Sequence, residues 1–117
     1  MAKILAVEDE ALVRMLIVET LVDAGHDVLE ASDGDQALVI VNKTPNLDLI
    51  VTDVRMSKMD GFSLAQHARE IKPGLPVLFM TGYMGTDVPS KMAGAKVMQK
   101  PFDPEDLIAA INAMLGL

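Results

Sequence analysis

Short apolar runs alternate with longer segments of helical character along all 117 residues, and this alternation restricts the fold more than any other feature. Residues 4–7, 26–31, 48–53, 75–81 and 96–99 read as strands. Several are near-continuous runs of apolar or β-branched residues, the pattern of strands covered on both faces. Helices are expected over about 10–24, from Asp33-Gly34 through Val41, over 60–71, and from 104 to about 115. Gly25 suits the position just past a helix end, and Pro73-Gly74 stops the third helix. Asp103-Pro104-Glu105-Asp106 combines an N-cap acid, a first-turn proline and first-turn acids. Residues 83–95, punctuated by Gly85, Pro89 and Gly94, leave room for only a turn or two of helix. A β-α unit repeated five times predicts an α/β fold, a doubly wound five-stranded parallel sheet with helices on both faces.

Composition narrows the class. The length suits one domain, 1–117, with one core. The chain has no cysteine, which removes disulfides and thiolate metal sites. A net charge of −7 without a basic patch argues against direct nucleic-acid binding. The acids Glu8 and Asp9 cut the first apolar run too early for a signal peptide, and no run reaches membrane-span length. A soluble, cytoplasmic domain is the expectation. The first helix is unusually apolar, with Leu12, Val13, Met15, Leu16, Ile17, Val18, Leu21 and Val22. These cannot share one core-facing stripe, so either the helix is deeply buried or its outward residues form a docking face.

In open parallel sheets the C-terminal strand ends share one edge, and that edge holds the site. Strand one delivers Glu8 and Asp9 there, strand three Asp53, strand four Thr81 and strand five Lys100. Three carboxylates in one crevice repel and call for a cation. Oxygen ligands without His or Cys favour Mg2+ or Mn2+ over Zn2+. A hydroxyl and an ammonium beside a metal suit a phosphate-like anion. A carboxylate can itself be the nucleophile and form an aspartyl-phosphate. Read singly, these residues have plainer roles: Asp53 as a strand terminator, Glu10 as a helix cap, Thr81 as strand filler. His26 and His67 read as surface residues. The nine methionines read as packing fillers, with Met15, Met84 and Met92 the best exceptions.

Val7-Glu8-Asp9, Asp53 followed by Met56 and Met59-Asp60-Gly61, Thr81-Gly82 and Lys100-Pro101-Phe102 occur in order, each at or just after an expected strand end. Over its whole length the chain resembles the receiver domains of two-component response regulators. The resemblance implies a flavodoxin-like receiver fold with strand order 2-1-3-4-5. It implies that Asp53 accepts a phosphoryl group from a histidine kinase or histidine phosphotransfer protein. It implies Mg2+ (or Mn2+) held by Asp9, Asp53 and the Arg55 carbonyl, with Glu8 acting through water. Thr81 and Lys100 would contact the phosphoryl oxygens, Lys100 presented by a cis bond to Pro101. A downstream protein partner would read the change.

Phe79-Met80-Thr81-Gly82-Tyr83 is similar to a subgroup of receivers with a Phe-Ala-Thr-Gly motif, known from single-domain regulators, and to receivers attached to hybrid kinases. There are departures. Ser57 stands where a proline usually follows the methionine. Val97 stands where an aromatic usually serves as the switch reporter, and Tyr83 is the candidate substitute. The interval from Thr81 to Lys100 is short, so the fourth helix of the family should be reduced. Arg55 and Tyr83 flank the site and could tune phosphate lifetime.

Two other readings stay open. One is a phosphorylation-independent docking module. The other is a small aspartyl-phosphate phosphatase, although Arg55 occupies the position where haloacid-dehalogenase-like phosphatases need a second acid. A flavin carrier is disfavoured by the acidic loop after strand one.

Overall fold

The structure is a computed structural model in which residues 2–56, 58–82 and 95–117 are described. In chain order they form β1 (Lys3–Val7), α1 (Ala11–Asp23), β2 (Asp27–Ala31), α2 (Gly34–Lys43), β3 (Leu49–Asp53), α3 (Gly61–Ile71), β4 (Val77–Thr81), β5 (Ala95–Gln99) and α4 (Pro104–Leu115). The five strands are parallel in the order β2-β1-β3-β4-β5, as expected. The shortened helix expected within residues 83–94 lies outside the described residues, as do Tyr83, Met84, Met92 and Ser57.

Strand side chains alternate between faces, and both faces are covered. Leu5, Val7, Ile50, Val77 and Phe79 pack with Ala37 and Val41 of α2 and Leu64, Ala65 and Ala68 of α3. Ile4, Ala6, Leu49, Val51, Leu78 and Met80 pack with Ile17 and Leu21 of α1 and Leu107 and Ile111 of α4. This two-sided burial explains why the central strands are apolar without a polar alternation. Phe79 is fully buried, its ring edge-on to Phe62 with centroids 4.8 Å apart.

The helix punctuation acts locally. Asp33 Oδ1 accepts from the Gln36 N–H at 2.8 Å, and Asp60 Oδ1 accepts from the Ser63 N–H at 2.8 Å. Gly25 follows α1 with φ +93°, a conformation that costs a side-chain-bearing residue strain.

Three expectations need correction. Glu10 occupies the N-cap position of α1, but its side chain makes no cap bond. Instead its N–H donates to Glu8 Oε1 at 3.3 Å, because the Glu8 carboxylate already lies beneath the turn. His26 is buried, not on the surface, and precedes β2. Its Nδ1 accepts from the Ala2 N–H at 3.2 Å, tying the chain start to the α1–β2 turn. The fourth strand begins at Val77 rather than 75, since Leu75 closes a turn on Lys72 and Pro76 has no N–H for the ladder.

Helix α1 settles its own ambiguity. Only Ile17 and Leu21 are buried, while Leu12 is 74% and Leu16 57% exposed. The excess apolar residues face outward.

Candidate functional site

Register brings the acidic residues to one level. Val7 of β1 pairs with Thr52 of β3, so Glu8 and Asp53 leave adjacent strands side by side. Asp53 pairs with Met80 and Thr81 pairs with Gln99, which places Thr81 and then Lys100 just beyond them at the same edge. The Lys100 N–H donates to the Thr81 carbonyl at 2.7 Å, fixing the turn that carries the lysine. The Lys100–Pro101 peptide is cis.

Glu8, Asp9 and Asp53 each offer a carboxylate oxygen within 4.8 Å of the others. Lys100 reaches into the group. Its Nζ donates to Glu8 Oε2 at 2.8 Å and lies 3.2 Å from Asp53 Oδ2. The Glu8 side chain is 1% exposed, that of Asp53 12% and that of Lys100 20%. Asp9 is exposed at the mouth. Burial pushes the Glu8 carboxyl above its ordinary value of 4.5, and the negative charge of Asp53 adds to this, while Lys100 offsets part of it. For Lys100, burial works against the charged form. The hydrogen bonds and charges of Glu8 and Asp53 outweigh it, so its pKa moves up.

The donor set can hold a hard cation. All its oxygens are carboxylate, and they converge tightly enough to repel without a counter-charge. Glu8 has one oxygen committed to Lys100 and the other to the Glu10 N–H. Asp9 and Asp53 are therefore better placed for direct ligation.

Gly61 adds a constraint that the sequence does not advertise. A Cβ there would collide with the Asp53 carbonyl oxygen. The Gly61 N–H also donates to the Val54 carbonyl at 2.8 Å, so α3 starts hard against the end of β3. Thr81 is buried at the end of β4. Arg55 is exposed two residues past Asp53. Val97 pairs with Phe79, two residues short of the edge, and is not among the groups that meet at the carboxylates.

Sequence reasoning passed over Arg14. Its Nη1 donates to the Glu8 carbonyl at 2.7 Å and its Nε to Glu30 Oε1 at 3.2 Å. The available signal was a lone cation in an apolar helix, one turn after the acidic triplet.

Among the described residues, no helix is long and apolar enough to cross a membrane.

Residues 4–112 match the response regulator receiver domain family. The response regulator receiver protein CpdR of Brucella abortus (strain 2308) is 36% identical over 121 residues, covering 98% of this chain and 98% of that protein. The transcriptional regulators among the relatives are longer; the chain spans 49% of YrkP of Bacillus subtilis (strain 168), at 38% identity. The crystal structure of the receiver domain of the hybrid histidine kinase CckA superposes with a TM-score of 0.88 at 35% identity, over 97% of this chain and 99% of that one. The chemotaxis protein CheY4 of Vibrio cholerae gives 0.87 at 33% identity, over 98% and 99%. Sequence and fold agree across almost the whole chain, and the protein therefore belongs to the response regulator receiver domains of two-component signalling.

Proposed function

We propose that the chain, taken as one receiver domain over 1–117, is a phosphoacceptor that switches partner binding through an aspartyl-phosphate at Asp53. The observation that carries this reading is the convergence of Asp53 with Glu8, Asp9 and the Lys100 ammonium at one strand edge. An Asp53 carboxylate oxygen attacks the phosphorus of a phosphohistidine on a histidine kinase or phosphotransfer protein. The O–P bond forms as the N–P bond of the imidazole breaks, and the imidazole nitrogen leaves with its electron pair.

Asp9, Asp53 and the Arg55 carbonyl would hold Mg2+ (or Mn2+), with Glu8 acting through water. When bound, the ion supplies positive charge to the phosphoryl oxygens. Lys100 stands ready to exchange its contact with Asp53 for one with a phosphoryl oxygen. The Thr81 hydroxyl meets another oxygen, biasing the segment after β4 between two arrangements. In this reading Tyr83, Val97 and Pro101 tune the switch or its presentation. The chain assists its own phosphorylation and dephosphorylation and needs no separate substrate. A cytoplasmic setting follows from dependence on a histidine kinase and a downstream protein.

The test follows amide shifts on adding acetyl phosphate, or a beryllofluoride salt, with Mg2+. Shifts centred on Asp53, Thr81 and Lys100 are expected, and Asp53→Asn should abolish them. An unchanged spectrum in the parent chain, or equal phosphoryl uptake by Asp53→Asn, sinks the proposal. Multiple turnovers on generic phosphomonoesters would favour a phosphatase instead.

A further inference from the structure

We infer that Arg14 is a positioning residue for the phosphoacceptor site, clamping the β1–α1 turn so that Glu8 and Asp9 present their carboxylates to Asp53. The inference rests on the proposed function, but its geometry is independent of any ion.

The turn carrying Glu8, Asp9 and Glu10 joins a buried strand to a helix, and it is short of ordinary anchors. The N-cap side chain of α1 makes no cap bond. Arg14 supplies an anchor through its side chain. Its guanidinium donates through Nη1 to the Glu8 carbonyl at 2.7 Å, immediately before Asp9.

The guanidinium is itself held. Nε donates to Glu30 Oε1 on β2 at 3.2 Å, and the Arg14 side chain is only 21% exposed. Because Nε and Nη1 belong to one rigid plane, fixing one fixes the direction of the other. The Glu8 peptide is thus gripped by α1 and, through Arg14, by the edge strand β2. From the β2 side, Glu8 is also held by its N–H, which donates to the Ala31 carbonyl at 3.1 Å. The Glu8–Asp9 peptide is planar, so a hydrogen bond at its carbonyl resists rotation of the whole unit and favours one direction in which the chain leaves Glu8 for Asp9. Outer contacts that orient metal-binding groups typically change metal affinity by about 10–100-fold when removed.

The test compares the full chain with Arg14→Ala, Arg14→Lys and Glu30→Gln by two readouts. One is the Mg2+ dissociation constant from an amide-shift titration. The other is amide hydrogen exchange at Asp9 and Glu10 without metal. Arg14→Ala should bind Mg2+ roughly tenfold more weakly, with faster exchange at both amides. Arg14→Lys should recover part of both, since one ammonium can reach the Glu8 carbonyl but cannot keep both arms. Glu30→Gln should shift both readouts in the same direction by less. Val41→Ala, a cavity on the opposite face, should lose stability but leave both readouts as in the parent. Arg14→Ala with parental affinity and exchange overturns the inference, and so does an equal change in Val41→Ala. If the parent chain shows no Mg2+-dependent shifts, the proposed function fails, and the metal-free exchange comparison still decides the role of Arg14.

Discussion

Removing the ammonium at the site by Lys100→Met gives the most demanding test of its electrostatics. The lysine is in contact with Glu8 at 2.8 Å and Asp53 at 3.2 Å. Exposed ion pairs contribute up to about 1 kcal/mol, while stripping one partner from a buried pair costs about 3–5 kcal/mol. Lys100 is 20% exposed and its partners less so, which puts the expected loss of stability without metal near 2 kcal/mol.

The loss should depend on pH in a fixed direction. Without Lys100 the folded Glu8 pKa, already above 4.5, rises further. A raised folded pKa gives stability that is full below the unfolded value and is lost as pH rises through the folded one. The deficit of the variant therefore opens as pH climbs above about 4.5 and is smaller at pH 5 than at pH 7.

Mg2+ should reverse part of it. The ammonium repels a divalent ion bound to the same carboxylates, so its removal should tighten Mg2+ about tenfold, or 1.4 kcal/mol. At saturating Mg2+ the deficit then falls from about 2 to about 0.6 kcal/mol. The assay is urea unfolding followed by far-UV circular dichroism, with and without Mg2+ at both pH values, since the chain has no tryptophan. A deficit that is equal with and without Mg2+, or larger at pH 5 than at pH 7, is incompatible with an ammonium that balances Glu8 and Asp53.

Three further outcomes are expected. Glu8→Gln removes a buried acid whose pKa burial raises, so stability without metal should lose its decline above pH 4.5; a parental pH profile in urea midpoints would count against that assignment. Gly61→Ala forces a Cβ onto the Asp53 carbonyl and should cost about 1–3 kcal/mol while slowing acetyl phosphate uptake at Asp53; parental stability would show that α3 can move aside. Leu16→Ser, at a 57% exposed position, should change stability by no more than about 0.5 kcal/mol yet weaken phosphotransfer from a histidine phosphodonor. Equal transfer rates would remove α1 from the docking face.

The order of the described elements, the parallel sheet and the edge where polar residues gather are legible from residue pattern alone. These rest on local signals: apolar runs bounded by Asp33, Asp60 and Asp103 caps, and polar residues at strand ends. The resemblance to receiver domains singles out Asp53, Asp9, Thr81 and Lys100 among them. The distances and partners at the site depend on groups far apart in the chain. Lys100 meets Glu8 across 92 positions, and only the β4–β5 register brings it there. His26 is buried by the chain start, which no neighbour in sequence foretells. The apolar surplus of α1 faces outward because the face of the sheet it covers is shared with α4. Arg14 reaches the Glu8 carbonyl from α1 while Glu30 of β2, sixteen residues on, holds its guanidinium. Local propensity places carboxylates at an edge, and long-range packing sets the distances at which they act.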